Sequence, residues 1–198
     1  MKKIFLIIVL ATPIIAFAQH PKMNLRLFGG VNATTFIYRI EGVDADKVEG
    51  WQVGGGFRVM KKRAFVEMDI VYLDYGLTID LSEFEIPEPL TIRMRAMEFP
   101  INIGWIPVKT PVFKWFLYGG LNSRFSIRGR FIYQDQKEKF KPSELDLHTY
   151  NLGARFGTQV DIAMFNFDFN YTIGITNGFK GKARTNAHSL QLSMGFVF

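Results

Sequence analysis

The side chains best suited to acid–base chemistry in this chain are its three histidines: His20, His148 and His188. A hydrolytic site needs a histidine within hydrogen-bond reach of a serine nucleophile. His188 is followed directly by Ser189, but both lie in a segment where polar and apolar residues alternate. Successive side chains of such a segment point to opposite faces, so we expect that these two residues do not form a catalytic pair.

A second arrangement uses His148, which lies at the edge of a long polar segment, with Ser126, Ser143 and Glu144 near it in sequence. Loop geometry allows these residues to meet, so an enzyme that modifies lipids is kept as an alternative. A metal site has less support, because His148 and Asp146 match no zinc spacing and the chain has no cysteine. We expect no catalytic residue, no metal ion and no cofactor.

Charged side chains also fall on the polar face of several alternating segments: Arg58, Glu67, Asp69, Glu98, Arg155 and Asp161. One interpretation of such a cluster is ion passage or proton binding. The other is a structural plug, because buried charges have to be paired. We favour a polar network in which the acids pair with Arg58, Arg155, Arg26 or Arg124.

Eight segments position these residues, and each alternates with a period of two, which indicates β-strands. They cover residues 24–36, 50–60, 64–77, 91–106, 112–127, 149–163 and 166–176, and the eighth ends at Phe198. Each is long enough to supply the roughly 9–11 residues that a tilted strand needs to cross the hydrocarbon layer. The predicted connections alternate between short and long, and one long connection spans 128–148. The sequence therefore predicts an all-β fold, an eight-stranded antiparallel up-and-down transmembrane barrel.

The N-terminus has the pattern of a cleavable signal peptide over residues 1–18. Lys2 and Lys3 precede an apolar run, and small residues occupy positions 16 and 18. We predict cleavage before Gln19, one barrel domain over 19–198, and the outer membrane of a Gram-negative bacterium as its location. The formal net charge of +6 includes the two leader lysines, so nucleic acid is not an expected partner.

Two kinds of barrel differ in whether the apolar face of their strands points inward or outward. A soluble lipocalin-like carrier keeps its apolar face inside, whereas a membrane barrel turns that face to lipid. Lys or Arg on the lipid face at midplane costs about 2–4 kcal/mol, and the apolar face here is almost free of charge at mid-strand. We predict that it faces lipid. Aromatic residues near the strand ends would then form the interfacial girdle: Trp51, Tyr72, Trp105 and Trp115.

Two further features concern the ends of the strands. Arg93 and Arg95 are predicted to lie outward, above the hydrocarbon, where they contact lipid phosphates or pair with Asp74. The closing strand presents apolar side chains at alternate positions up to an aromatic last residue. We interpret the final part of this series as the signal for barrel insertion: Met194, Phe196 and Phe198.

Four segments occur in order along the chain: AMEFPI (96–101), LGARFG (152–157), NYTIGITN (170–177) and LQLSMGF (190–196). They resemble the YLEIPL, GLVLGAG and RYSLGLTN segments and the closing strand of the PorT-like outer membrane β-barrel domain family. The chain departs from that pattern at Met97, where the family usually has Leu, and at Asn170, where it often has Arg. The resemblance implies an eight-stranded outer-membrane barrel. It does not fix the function: the named family member acts in the type IX protein secretion pathway, but most relatives have no assigned role.

We therefore predict a non-enzymatic outer-membrane barrel with a structural or interaction role in the cell envelope. An accessory component of a secretion or assembly machine is the first alternative. The expected partners are outer-membrane lipid, the machinery that inserts barrels into that membrane, and another envelope protein.

Overall fold

The computed structural model describes residues 22–37, 45–79, 90–133, 136–140, 148–176 and 186–198. Within these residues the chain forms nine strands: β1 Lys22–Ile37, β2 Ala45–Lys61, β3 Ala64–Ile79, β4 Leu90–Lys109, β5 Phe113–Tyr133, β6 Gln136–Phe140, β7 Tyr150–Ile162, β8 Phe165–Gly174 and β9 Asn186–Val197. No described segment is a helix long and apolar enough to cross a membrane. The predicted leader over 1–18, together with His20, Ser143 and Glu144, lies outside the described residues.

Eight of these strands form a closed antiparallel barrel, in the order β1, β2, β3, β4, β5, β7, β8, β9 and back to β1. The seam joins the first and last strands. Leu25 N donates to Phe198 O at 3.0 Å, and Phe198 N donates to Leu25 O at 2.9 Å. The predicted eight-stranded barrel is confirmed, with closure satisfying the backbone groups that an open sheet would leave unpaired.

The two faces of the wall follow the alternation of the sequence. Large apolar side chains such as Phe167, Phe169 and Leu192 are exposed on the outer surface. Polar side chains one residue away, such as Asp168 and Gln191, are buried in the lumen. This is the orientation predicted for a membrane barrel, in which the apolar face of each strand is turned outward and the polar face inward.

Three tight turns lie at one end of the barrel, here called the turn end. They join β2 to β3, β4 to β5, and β7 to β8. Lys62 and Ala163, which begin two of these turns, have φ angles of 55° and 54°, in the left-handed region. That conformation lets a two-residue turn match the twist of its strands. The opposite end, here called the loop end, carries the longer connections.

The prediction for the third long connection was wrong. We expected strand five to end near residue 127 and a loop to follow over 128–148. Instead, β5 continues to Tyr133 and forms a hairpin with β6 that is not part of the closed wall. A β-bulge explains the error. Arg95 pairs with Arg128 and Ala96 pairs with Ser126, so Ile127 has no opposite residue and the alternation shifts by one.

Candidate functional site

Arg58 lies at the centre of a buried polar network in the half of the lumen nearest the turn end. Its Nε donates to Glu67 Oε2 at 2.7 Å, and its Nη1 donates to Asp161 Oδ2 at 2.7 Å. Its Nη2 donates to Gln159 Oε1. Each nitrogen of this buried guanidinium therefore has a partner, which compensates for the water that it loses.

Arg26, on β1, extends the network to β1 and β8. Its Nη1 lies 2.5 Å from Glu67 Oε1 and 3.4 Å from Asp69 Oδ2. Its Nη2 donates to Asn166 Oδ1 at 2.7 Å and lies 3.6 Å from Asp168 Oδ2. Glu67 thus accepts from two arginines at once, so β1, β2 and β3 are linked through a single carboxylate.

A second ion pair lies nearer the loop end. Arg124 reaches Glu98 Oε1 with its Nε at 2.7 Å and its Nη2 at 2.6 Å, and Gln191 donates to Glu98 Oε2 at 3.1 Å. Arg155 is held less tightly, because its Nη2 is 3.7 Å from Asp168 Oδ2. The Nε and Nη1 atoms of Arg155 are buried and have no partner among the described residues.

All six charged residues proposed for the lumen are buried there: Arg58, Glu67, Asp69, Glu98, Arg155 and Asp161. Among these six, Arg58 contacts Glu67 and Asp161 directly, whereas the other three pair with residues outside the set. Sequence reasoning missed three neutral members of the network. Gln159 donates to Glu67 at 2.8 Å, Asn166 donates to Asp161 at 2.6 Å, and the Tyr118 hydroxyl donates to Asp168 at 2.7 Å. Their positions on the inward face of β5, β7 and β8 are the signal that identifies them.

Apolar clusters close the polar network at both ends. At the turn end, five buried side chains pack together: Met60, Phe65, Ile106, Phe116 and Tyr118. At the loop end a second cluster lines part of the lumen: Leu73, Tyr75, Met94 and Ala96. An eight-stranded barrel is just wide enough for its own side chains to fill it, and paired charges between apolar layers form such a filling. The lumen-facing side chains of the described residues are buried, as expected of such a plug.

Four arginines lie outside the wall at the loop end, on β4 and β5: Arg93, Arg95, Arg128 and Arg130. We call them the outer arginine cluster. Three of them, Arg93, Arg95 and Arg130, lie within ion-pair distance of the buried carboxylate of Asp74, which is on β3. Arg93 contacts Asp74 Oδ1 through Nε and Nη2, both at 2.7 Å, whereas Arg130 and Arg95 lie 3.4 and 3.6 Å from Oδ2. The predicted pairing with Asp74 is therefore present.

Arg128 and Arg130 were missed by sequence reasoning, because both were assigned to the loop expected after residue 127. Strict alternation from Phe125 would turn both into the lumen. The bulge at Ile127 reverses this orientation. It places Arg128 directly opposite Arg95, and Arg130 directly opposite Arg93. Together with Gly129, the four arginines line a surface cavity of about 190 Å³. Asp74 is on β3, which is separated from β5 by β4, so its contact with Arg130 could not be deduced from spacing along β5.

The proposed girdle residues are all on the outer wall and fall at two levels. Trp51 and Tyr72 are near the loop end, with ring centroids 5.7 Å apart. Trp105 and Trp115 are near the turn end, and Trp115 donates to the Thr158 hydroxyl at 2.8 Å. The three terminal residues proposed as the insertion signal are exposed on the outer surface of the closing strand: Met194, Phe196 and Phe198.

The histidines make no hydrolytic arrangement within the described part of the chain. The ring of His188 contacts the Tyr171 hydroxyl at 2.7 Å, while Ser189 points inward and contacts Thr34 at 3.2 Å. The Ser126 hydroxyl is buried against Tyr75 at 3.2 Å, whereas His148 is exposed. No group of three or more histidine, aspartate or glutamate side chains suited to a metal ion occurs among the described residues.

A closed eight-stranded barrel with an apolar exterior and a charged, packed lumen defines a membrane barrel protein. The family model for the outer membrane protein beta-barrel domain matches residues 17–180. The chain belongs to this family. No curated protein matches the sequence.

Solved structures of outer-membrane barrels align with most of the chain. Neisserial surface protein A (NspA) aligns with 9% sequence identity and a TM-score of 0.51, covering 90% of this chain and 99% of that one. The outer membrane protein OprG from Pseudomonas aeruginosa aligns with 12% identity and a TM-score of 0.48, covering 90% and 97%. Ail, the attachment invasion locus protein of Yersinia pestis, aligns with 11% identity and a TM-score of 0.43, covering 89% and 99%. At such low identity, the likeness to NspA concerns the fold alone.

Proposed function

We propose that this protein is a non-catalytic outer-membrane barrel that acts through its exterior, as a structural element or an interaction platform of the cell envelope. The observation that carries the proposal is the packed lumen. Arg26 and Arg58 are buried in ion pairs, and an apolar cluster lies between them and the turn end. An interior filled in this way leaves the loops and the outer wall as the surfaces that meet other molecules.

The positions of the polar side chains support a role without catalysis. His188 is paired with Tyr171 on the outer wall, and the hydroxyl of Ser126 is engaged inside the lumen. Neither residue is arranged as a nucleophile and base in the way that acyl transfer requires. His148→Ala, combined with an assay of phospholipid and lipid A hydrolysis, tests the enzymatic alternative. We expect no activity to be lost.

Conductance measurements test the closed lumen. The purified protein, inserted in planar lipid bilayers, should show no steady channel currents at moderate voltage. Met60 and Phe116 belong to the cluster at the turn end, so the Met60→Ala/Phe116→Ala variant should conduct more readily than the unmodified protein if this layer is the barrier. Long-lived channels in the unmodified protein would contradict the plug and with it the proposal.

Photocrosslinking in intact cells tests the platform. A photoreactive residue at Thr149 or Ile175, both exposed at the loop end, should yield an adduct with one defined envelope protein. The same residue at Lys62 or Met164, exposed at the turn end, is the matched control. If loop-end positions give no protein adduct, the platform is excluded and only a structural role remains.

A narrower proposal is that the protein is an accessory component of a secretion machine, as in the type IX pathway. The resemblance of four strand segments to the PorT-like family supports this proposal. Because one fold can host many functions, the role needs a test of its own. Mild detergent extraction should then recover the barrel in a complex with other secretion components. Migration as a lone monomer after crosslinking in cells would count against this role.

A further inference from the structure

We propose that the outer arginine cluster, Arg93, Arg95, Arg128 and Arg130, is a binding site for the phosphate group of a membrane lipid. The site lies on the lipid-facing side of the wall and is independent of the plugged lumen. Its ligand is an anionic phosphate ester whose acyl chains lie along the barrel exterior.

The charge balance of the cluster points to an anionic ligand. Arg95 opposes Arg128 and Arg93 opposes Arg130 across the β4–β5 pair. Like charges directly opposite each other on neighbouring strands destabilise a sheet unless they are compensated. Asp74 provides one negative charge, so three positive charges remain uncompensated among the described residues.

Free donors remain after Asp74 has made its contacts. Oδ1 of Asp74 is engaged by Arg93 at 2.7 Å, and the other arginines are at 3.4 Å or more from its carboxylate. Arg128 has no hydrogen-bond or ion-pair partner within the described part of the chain. The Nε of Arg130 is buried and likewise has no partner among these residues. Planar guanidinium groups with free N–H donors are well suited to bidentate contact with phosphate oxygens.

The depth of the cluster matches the membrane interface. Ala64 is opposite Trp105 near the turn end, and Asp74 follows ten residues later on the same strand. Ten residues at about 3.3 Å each span about 33 Å along the strand. A tilt of about 40° reduces this to about 25 Å along the barrel axis, close to the height of the apolar band of such barrels. The cluster therefore lies where headgroup phosphates are found.

The surroundings favour a lipid over a free anion. Ile127, at the bulge, is exposed between the arginines and the apolar wall, and Phe125 continues that wall toward the turn end. Trp51 on β2 lies opposite Asp74, and its ring contacts that of Tyr72 on β3 at a tilt of 50°. A lipid that follows these apolar residues presents its headgroup to the arginines, whereas a soluble anion gains nothing from them.

Native mass spectrometry of the purified protein in detergent tests this site, with phosphatidic acid as the probe and phosphatidylcholine as the lipid control. The variant Arg95→Gln/Arg128→Gln removes two arginines that make no short contact with Asp74. Its phosphatidic acid adduct should decrease at least about tenfold, which corresponds to the loss of one charge-assisted hydrogen bond. Lys62→Gln/Arg63→Gln, with the same charge change at the turn end, should bind as the unmodified protein does.

Two additional arms distinguish the possible outcomes. Arg95→Lys/Arg128→Lys keeps the charge but loses the planar fork, so it should retain part of the binding. Inorganic phosphate should compete weakly. If inorganic phosphate displaced phosphatidic acid as effectively as an equal concentration of the lipid, the cluster would bind a free anion and the lipid assignment would be overturned. Equal loss of binding in the turn-end control would show that net charge alone governs the adduct and would overturn the site. Heat-modifiable gel mobility verifies that each variant is folded.

Discussion

Arg58 and Asp161 face each other across the lumen, with Nη1 of the arginine 2.7 Å from Oδ2 of the aspartate. Arg58 is on β2 and Asp161 is on β7, and no backbone ladder joins these strands. The pair therefore connects opposite sides of the wall through side chains alone. A barrel whose interior is braced in this way resists flattening as well as leakage.

Arg58→Met should destabilise the barrel by about 3–5 kcal/mol, since it leaves the Asp161 carboxylate buried without its cationic partner. Urea-induced unfolding in phosphatidylcholine vesicles measures the change. The double variant Arg58→Met/Asp161→Asn should lose less than the sum of the two single variants, because the residues share one interaction. The exposed Lys62→Met substitution is the control and should stay within about 0.5 kcal/mol of the unmodified protein. Additive effects would contradict the coupling.

An arginine placed on the outer wall should reveal the position of the hydrocarbon. Leu192, at the middle of β9, and Ile175, at the loop end, are 53% and 54% exposed. Leu192→Arg should cost about 2–4 kcal/mol in vesicles, and Ile175→Arg about 0–1 kcal/mol, because the cost of a cation depends on its depth. The same unfolding measurement compares the two. Equal costs would argue against a lipid-facing outer surface at Leu192.

Gly56→Ala should be destabilising, by about 1–3 kcal/mol, because its new methyl group would meet the Met68 carbonyl oxygen and the Asp69 carboxylate in the neighbouring strand. Gly119→Ala is the matched control. Its methyl group would lie 3.8 Å from the nearest atom, Arg155 O, and should be tolerated. Thermal unfolding, followed by gel mobility, ranks the stabilities of the unmodified protein and the two variants. A Gly56 variant as stable as the Gly119 variant would show that β2 and β3 can separate without cost.

The terminal aromatic residues should matter more for assembly than equivalent residues elsewhere on the wall. Phe196→Ala/Phe198→Ala is expected to reduce the folded barrel recovered from membranes. Phe167→Ala/Phe169→Ala removes two similarly exposed aromatic rings from β8 and should reduce it less. The fraction with heat-modifiable mobility is the measurement. Comparable yields of folded barrel for the two variants would contradict the proposed role of the terminal residues in insertion.

The sequence by itself determined the barrel and its orientation. The period of two decides which side chains share a face, and the cost of charge in hydrocarbon decides which face meets lipid. Six lumen residues could be named before the structure, because each charge lies on the polar side of an alternating segment: Arg58, Glu67, Asp69, Glu98, Arg155 and Asp161. Each of these inferences uses only the residue pattern within a single strand.

The tertiary structure decided which residues meet. The pairing of Arg58 with Asp161 depends on the width of the closed barrel, which no single strand encodes. The outward direction of Arg128 and Arg130 depends on the bulge at Ile127, where one unpaired residue reverses the facing of all those that follow. Their approach to Asp74 depends in turn on the register of β3 against β4. Contacts between residues distant in the chain follow from register and closure, and local alternation specifies neither of them.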